Sequence, residues 1–298
     1  MTLRLLAPGL CTLLVDFGRS GSRSLGIPVG GAADRWSLAL GNALLGNPPE
    51  TPALEVCLAG PTVVADCDLA CVLFGAPFRL FAHAPLTAGT TFTLHNGEEL
   101  HVETTAVGMR AYLCVCGGLD GKTILGSKSS LEPLRAGGTL PCAPSTIAPR
   151  FIRPKCNWNQ EPTTLRTLTG AQADWFRVEE FYGREFRVSE TSNRMGLRLQ
   201  GEPIALPKRE LISEPVCPGT VQVTADCQCI VLGIDGQTIG GYPKIGQVIS
   251  ADIDKLGQLR PGDRIRFHQV SLQEAEIILR EKQAELASWV ARLQTAVF

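Results

Sequence analysis

Little in this sequence favours a polyanion as partner. Its 28 Lys and Arg face 29 Asp and Glu, a formal net charge of −1, so there is no bulk attraction to nucleic acid or to an anionic membrane. Aromatic residues make up only 6%, too few for a platform on which unpaired bases would stack. No apolar run reaches the length that spans a bilayer. The apolar start, MTLRLLAPGLCTLLVDFG, is broken by Pro8 and Gly9 and lacks a small-residue cleavage signal. It reads as two short strands around a turn, and the expected location is the cytoplasm. Metal-ligand spacing is also missing. The four histidines, His83, His95, His101 and His268, have no H-x-x-x-H or C-x-x-C companions, and the odd count of eleven cysteines argues against a fully paired disulfide framework. Cys114 with Cys116, and Cys227 with Cys229, lie two apart in apolar runs and are expected to share one strand face as buried small hydrophobes. A complete P-loop, a G-x-G-x-x-G, a G-x-S-x-G elbow and a biotinyl-lysine A-M-K-M are all absent. GGLDGKT (117–123) fails the P-loop spacing because Cys116 stands where the leading glycine belongs.

What the chain has is a core and punctuation. Residues of the hydrophobic set make up 44%, and 31 Gly and 20 Pro interrupt them. Short runs such as TLLVDF, LACVLFG, EFRVSE, TVQVTAD and DRIRFHQV carry the strand signal between Gly, Pro or Asp clusters. The fold class expected is mainly β, in two β lobes, with a few helices. One helix is predicted over 34–46: Asp34 stands at its N-cap, Trp36, Leu40 and Leu44 recur at helical spacing, and Gly46, Asn47 and Pro48 stop it. Another closes the chain over 271–298. There Ser271 and Glu274 form a capping-box pattern, and Ile278, Leu286, Trp289, Leu293 and Val297 make an apolar stripe suited to docking on the protein's own β lobe or, as the lesser alternative, on another protein chain. The proline-rich stretch 141–163 is the expected boundary between a first lobe (1–150) and a second (151–270).

Residues 235–267, DGQTIGGYPKIGQVISADIDKLGQLRPGDRIRF, are the most informative stretch. Gly240 and Gly241 permit positive φ and close approach of a ligand. Pro243 then stiffens the turn and holds Tyr242 extended, so that Lys244 leaves in a set direction. Gln237, Thr238 and Lys244 form a donor trio suited to carbonyl, carboxylate or phosphate oxygens. The bland alternative is a hairpin turn with a solvated lysine.

Three further places carry polar chemistry. Asp16-Phe-Gly-Arg19 ends a strand, and GIPVGGAAD (26–34) leads into the first helix, so Arg19 and the Gly30 and Gly31 amides suit an anion. Asp34 is either a cap for that helix or a catalytic carboxylate. Arg194, in the loop SNRMG, is a bidentate partner for a carboxylate or phosphate, or else a structural ion pair to Glu55 or Glu214. Glu214 precedes Pro215 on an apolar strand and is there either paired or working as acid or base. Arg19, Asp34, Arg194, Glu214, Gln237 and Lys244 all sit in Gly- or Pro-marked loops and are expected around one cleft.

The 235–267 stretch resembles the signature of the allophanate hydrolase subunit 2 family, also called the KipA or biotin-dependent carboxyltransferase-like family. The resemblance continues through DFGRSGSRSLGIPVGGAADRWSLALGNALLGNP, ALEVCLAGP, RAYLCVCGGLDGKTILGSKSS, GAQADWF, VSETSNRMGLRLQG and ELISEPVCPGTVQV. Ser20 departs from the proline that the family usually shows after the arginine. The resemblance implies a cyclophilin-like β-barrel in the second half. It also implies a subunit of an ATP-dependent 5-oxoprolinase, with ATP and Mg in the assembled complex, a B-type (KipI-like, or allophanate hydrolase subunit 1-like) partner and an A-type lactam-metabolising partner. Two alternatives stand beside it: a carboxyltransferase half-domain moving a carboxyl group from carboxybiotin to urea or a related amide, and a KipA-type regulatory binding protein. Because the chain stands without a fused biotin carrier or amidase, the oxoprolinase is the expectation, with Lys244, Glu214 and Asp34 in catalytic roles. Arg19, Gly30, Gly31, Arg194, Gln237, Thr238, Gly240, Gly241 and Tyr242 are then the expected substrate-binding residues.

Overall fold

The computed structural model describes residues 1–152 and 162–295. The described residues of Met1–Arg19, Asp34–Trp158 and Ala284–Phe298 form one compact unit, and those of Ser20–Ala33 and Asn159–Gln283 form the other. Residues 153–161 of the proline-rich stretch, and Val297 of the predicted apolar stripe, lie outside the described residues.

In the first unit the strands are β1 (Thr2–Ala7), β2 (Cys11–Val15), β3 (Ala53–Cys57), β4 (Thr62–Ala65), β5 (Leu69–Gly75), β6 (Leu80–Phe81), β7 (Pro85–Leu86), β8 (Phe92–Leu94), β9 (Glu99–Val102), β10 (Arg110–Val115) and β11 (Thr139–Pro141). They make one sheet in the order β11-β1-β4-β9-β6-β7 and another in the order β2-β3-β10-β5-β8. Leu3, Leu5, Val63 and Leu100 from the first sheet share a core with Leu54, Leu73, Leu94 and Leu113 from the second. Helix α1 (Arg35–Leu44) covers the other face of the second sheet, where the Cys114 thiol lies 4.0 Å from the Leu38 carbonyl. Double coverage explains why β10, RAYLCV, is buried throughout and not on alternate residues. The predicted helix is present, capped by Asp34, whose carboxylate accepts from the Ser37 amide at 2.9 Å.

The second unit holds β12 (Thr163–Thr169), α2 (Val178–Tyr182), β13 (Glu185–Val188), β14 (Gly196–Gln200), β15 (Glu214–Pro215), β16 (Thr220–Val223), β17 (Cys229–Leu232), β18 (Ile239–Gly240), β19 (Lys244–Val248), α3 (Ile253–Leu256), β20 (Arg264–Gln269) and the start of α4 (Leu272–Thr295). Seven of these strands close a barrel in the order β12-β19-β16-β17-β14-β13-β20, sealed by parallel pairing of β12 with β20. Leu165, Val221, Val231, Ile245, Ile265 and Phe267 fill it. Phe181 of α2 stacks on Phe267 at 4.6 Å between centroids, a burial worth roughly 2–3 kcal/mol. The mainly β expectation, with a barrel in the second half and a C-terminal helix, is therefore met. Ser271 and Glu274 make the capping box in full: Ser271 N donates to Glu274 Oε2 at 2.7 Å, and Glu274 N donates to Ser271 Oγ at 3.2 Å.

One cysteine expectation fails. Cys227 does not share a strand face with Cys229, because it sits before β17 in a turn with φ of 61° and its amide donates to the Thr224 carbonyl. Apolarity and spacing did not reveal the turn that AD (225–226) makes there. Cys229 is in the core, and burial pushes its thiol up to about 12.

Candidate functional site

Lys244 opens β19, at a bulge where Val221 pairs with Gly246 but Gln222 pairs with Lys244. The extra residue, Ile245, enters the barrel core. Lys244 is turned instead against the two-stranded ribbon β15–β18, which flanks the barrel and pairs Glu214 with Gly240. Its Nζ lies 2.5 Å from Glu214 Oε2. The lysine side chain is 10% exposed and the carboxylate 41%, so the cation is the desolvated partner. Nζ has no hydrogen bond of good geometry. Its link to Glu214 is a charge contact that leaves donor capacity unused. A lysine ammonium has three N–H donors, so one carboxylate oxygen leaves capacity for a further acceptor oxygen. On the other side of the pair, Lys244 first and then the Gln172 amide hold the Glu214 carboxyl below its ordinary value.

Gln172 is the residue that sequence reading missed. Its Oε1 accepts from Lys244 N at 3.1 Å, its backbone N donates to Lys244 O at 3.1 Å, and its Nε2 lies 3.3 Å from Glu214 Oε2. A single residue thus grips the lysine's backbone and the lysine's counter-ion. Gln222, 1% exposed, was missed too; its Nε2 donates to Tyr242 O at 3.4 Å. The one available signal was a position inside segments already notable, GAQADWF and TVQV.

Gly240 and Gly241 serve by approach and not by unusual torsion. Neither has positive φ, because β18 keeps Gly240 extended in the ribbon. A Cβ on Gly240 would lie 2.6 Å from Gln222 Nε2 and 2.8 Å from Gln237 Nε2, so the missing side chain is the space in which two amide donors converge. Thr238, 9% exposed, contributes its carbonyl to Val216 N at 2.9 Å, and Tyr242 is 42% exposed. Glu214, Gln237, Gly240 and Lys244 are thereby brought together with Gln172 and Gln222.

Arg194 pairs with Asp235. Its Nε lies 2.6 Å and its Nη2 3.2 Å from the two oxygens of Asp235, and Nη2 also donates to Gly31 O at 2.7 Å. Neither Glu55 nor Glu214 is its partner in these contacts. Gly30 N donates to Ile234 O at 3.1 Å. Arg194, Gly30 and Gly31 therefore fasten Ser20–Ala33 to the barrel's loops.

Arg19 and Asp34 belong to the first unit. Arg19, 4% exposed, donates through Nη2 to Ser129 O at 2.5 Å, and its buried Nε has no hydrogen-bond partner. Asp34 caps α1, accepting from the Ser37 amide and from Ser37 Oγ at 2.6 Å, while its own amide donates to the Tyr112 hydroxyl at 2.8 Å. That hydroxyl donates in turn to Glu55 Oε2 at 2.9 Å, and Arg110 Nε lies 3.3 Å from Glu55 Oε1. Burial, ahead of the Glu55 and Asp34 charges, pushes the Tyr112 hydroxyl well above its ordinary value.

GGLDGKT is no phosphate cradle. Gly117 N donates to Asn47 Oδ1, Gly118 N to Val115 O and Gly121 N to Asp120 Oδ1. Among the described residues, no group of three His, Cys, Asp or Glu is placed to hold a metal ion, and no helix is long and apolar enough to cross a membrane.

A family model described as "Carboxyltransferase domain, subdomain A and B" matches residues 25–269, which takes in Gln172, Glu214, Gln237 and Lys244. The chain belongs to that carboxyltransferase-domain family. It is 36% identical to the C-type 5-oxoprolinase subunit of Escherichia coli K12 over 292 residues, 92% of this chain and 93% of the relative. The corresponding 5-oxoprolinase subunit of Haemophilus influenzae is 35% identical, over 91% of this chain and 92% of the relative. In structure, the family member is similar to the Kluyveromyces lactis urea carboxylase, with a TM-score of 0.88 and 26% identity over 97% of this chain but 29% of the other. The K. lactis urea amidolyase gives the same TM-score, with 20% of its length covered. Another solved chain, 34% identical with a TM-score of 0.81, is matched over 56% of its length. This chain thus spans only part of the solved relatives.

Proposed function

We propose that this chain is a subunit of an ATP-dependent 5-oxoprolinase, in which it holds and polarises the lactam amide while the ring is opened to glutamate. The observation that carries this reading is the match to two 5-oxoprolinase subunits of the C type over more than nine-tenths of both partners. The site chemistry agrees with it. Opening a lactam places negative charge on the amide oxygen, and Lys244 Nζ is a cationic donor in the same site whose Gln222 and Gln237 amides meet at Gly240. The carboxylate of Glu214, fixed by Lys244 and Gln172, is an acceptor for the ring N–H. ATP with Mg would supply the phosphoryl group that activates the lactam oxygen in the assembled complex. Partner subunits of the B and A types complete the assembly in this reading.

Co-expression with candidate partner subunits, followed by assays of 5-oxoproline-dependent ATP hydrolysis and glutamate release, tests this. Activity is expected in the complex and none in the purified chain alone. A complex that ignores 5-oxoproline overturns the reading. The urea carboxylase likeness supports a second one, carboxyl transfer to a small amide. In that case the complex would consume carboxybiotin in the presence of urea.

A further inference from the structure

Arg23 lies in Ser20–Ala33, the segment that joins the second unit. Its Nη2 donates to the carbonyl of Val216. Val216 belongs to the Lys244 site's own ribbon: its amide donates to Thr238 O at 2.9 Å, and its Cγ1 lies 3.4 Å from where a Cβ on Gly240 would stand. Val216 is two residues beyond Glu214, roughly 7 Å along an extended chain, so Arg23 reaches the ribbon that carries the Lys244 ion pair. No acidic residue neutralises Arg23 in any ion pair among the described residues. Its Nη1 is buried and has no hydrogen-bond partner. A guanidinium with one nitrogen fixed by a carbonyl and another withdrawn from water without an acceptor is poised for an anion, and the planar fork matches a carboxylate.

We propose that Arg23 is a specificity-determining residue that binds the carboxylate of an amide substrate whose amide oxygen faces Lys244. The inference rests on the reading of the chain as part of a lactam hydrolase, since 5-oxoproline carries such a carboxylate beside its ring amide whereas urea carries none. The two cations then divide the substrate. Lys244 takes the oxygen that changes charge, and Arg23 takes the group that does not react and supplies binding energy only.

The test is direct binding to the full chain, by calorimetry or ligand-observed NMR, with four probes: 5-oxoproline, 2-pyrrolidinone, N-carbamoylglycine and urea. The wild type is expected to bind 5-oxoproline more tightly than 2-pyrrolidinone. Arg23→Gln should weaken 5-oxoproline about tenfold to hundredfold and leave 2-pyrrolidinone unchanged, with Arg23→Lys recovering part of the loss. Equal loss on both lactams would reduce Arg23 to a structural tie, and no loss, or no carboxylate probe bound by the wild type, would overturn the proposal outright. If N-carbamoylglycine binds through Arg23 while 5-oxoproline does not, the carboxylate role stands and the 5-oxoprolinase reading falls.

Discussion

Gln172 brackets Lys244: its side-chain oxygen accepts from the lysine's amide at 3.1 Å and its own amide donates to the lysine's carbonyl at 3.1 Å. The lysine's direction is therefore set by a residue 72 positions away in sequence, as well as by the Tyr242-Pro243 turn before it. Gln172→Ala leaves the buried Lys244 amide without an acceptor, at a cost of about 1–3 kcal/mol. Urea unfolding should show that loss, and activity of the reconstituted complex should fall further than stability alone explains.

Lys244→Met keeps the apolar stem and removes the charge. Its partner Glu214 is 41% exposed and can rehydrate, so the stability change is expected to stay within about 1 kcal/mol. Activity in the assembled complex should drop about a hundredfold or more. Retention of full activity would remove Lys244 from the chemistry.

Two glycine substitutions separate site from scaffold. In Gly240→Ala the new methyl meets the ends of two flexible side chains, Gln222 at 2.6 Å and Gln237 at 2.8 Å, which can swing away. The fold should survive while substrate binding weakens. In Gly170→Ala the methyl meets backbone, Lys244 O at 2.3 Å, and the barrel should lose about 1–3 kcal/mol. Melting temperatures and ligand titrations on the two variants should show opposite patterns.

Acid should loosen the barrel through Asp252. Burial alone would raise this carboxyl, but Arg166 and Lys255 hold it below its ordinary value of 3.8. A carboxyl lowered in the folded state contributes stability above its unfolded value, and that contribution is lost as pH falls through the folded one. Stability should therefore decline below about pH 4. Asp252→Asn should flatten this slope and, by leaving the Arg166 charge unmatched, cost about 3 kcal/mol at neutral pH. Urea unfolding of both proteins across pH 3 to 7 measures both effects.

Local chemistry made several elements legible in the sequence. Asp34 followed by helically spaced apolar residues specifies a capped helix, and Ser271 with Glu274 specifies another, because a cap is satisfied within one turn of chain. Gly240 to Lys244 marked the site, since a turn so built aims whatever follows it. Partner choice was not legible. The contacts of Arg194 with Asp235 and with the Gly31 carbonyl, and that of Asp34 with the Ser37 hydroxyl, carry no mark in the sequence. Which acceptor lies within 3 Å of a donor depends on strand order and register, and those are long-range properties. The β19 bulge, the closure of β12 on β20, the grip of Gln172 on Lys244 and the approach of Gln222 and Gln237 to Gly240 came only with the folded barrel. The sequence by itself determined the elements, the turn that aims Lys244 and the family. Tertiary structure decided which polar groups pair and which are left with unused donors, because pairing is settled where distant strands meet.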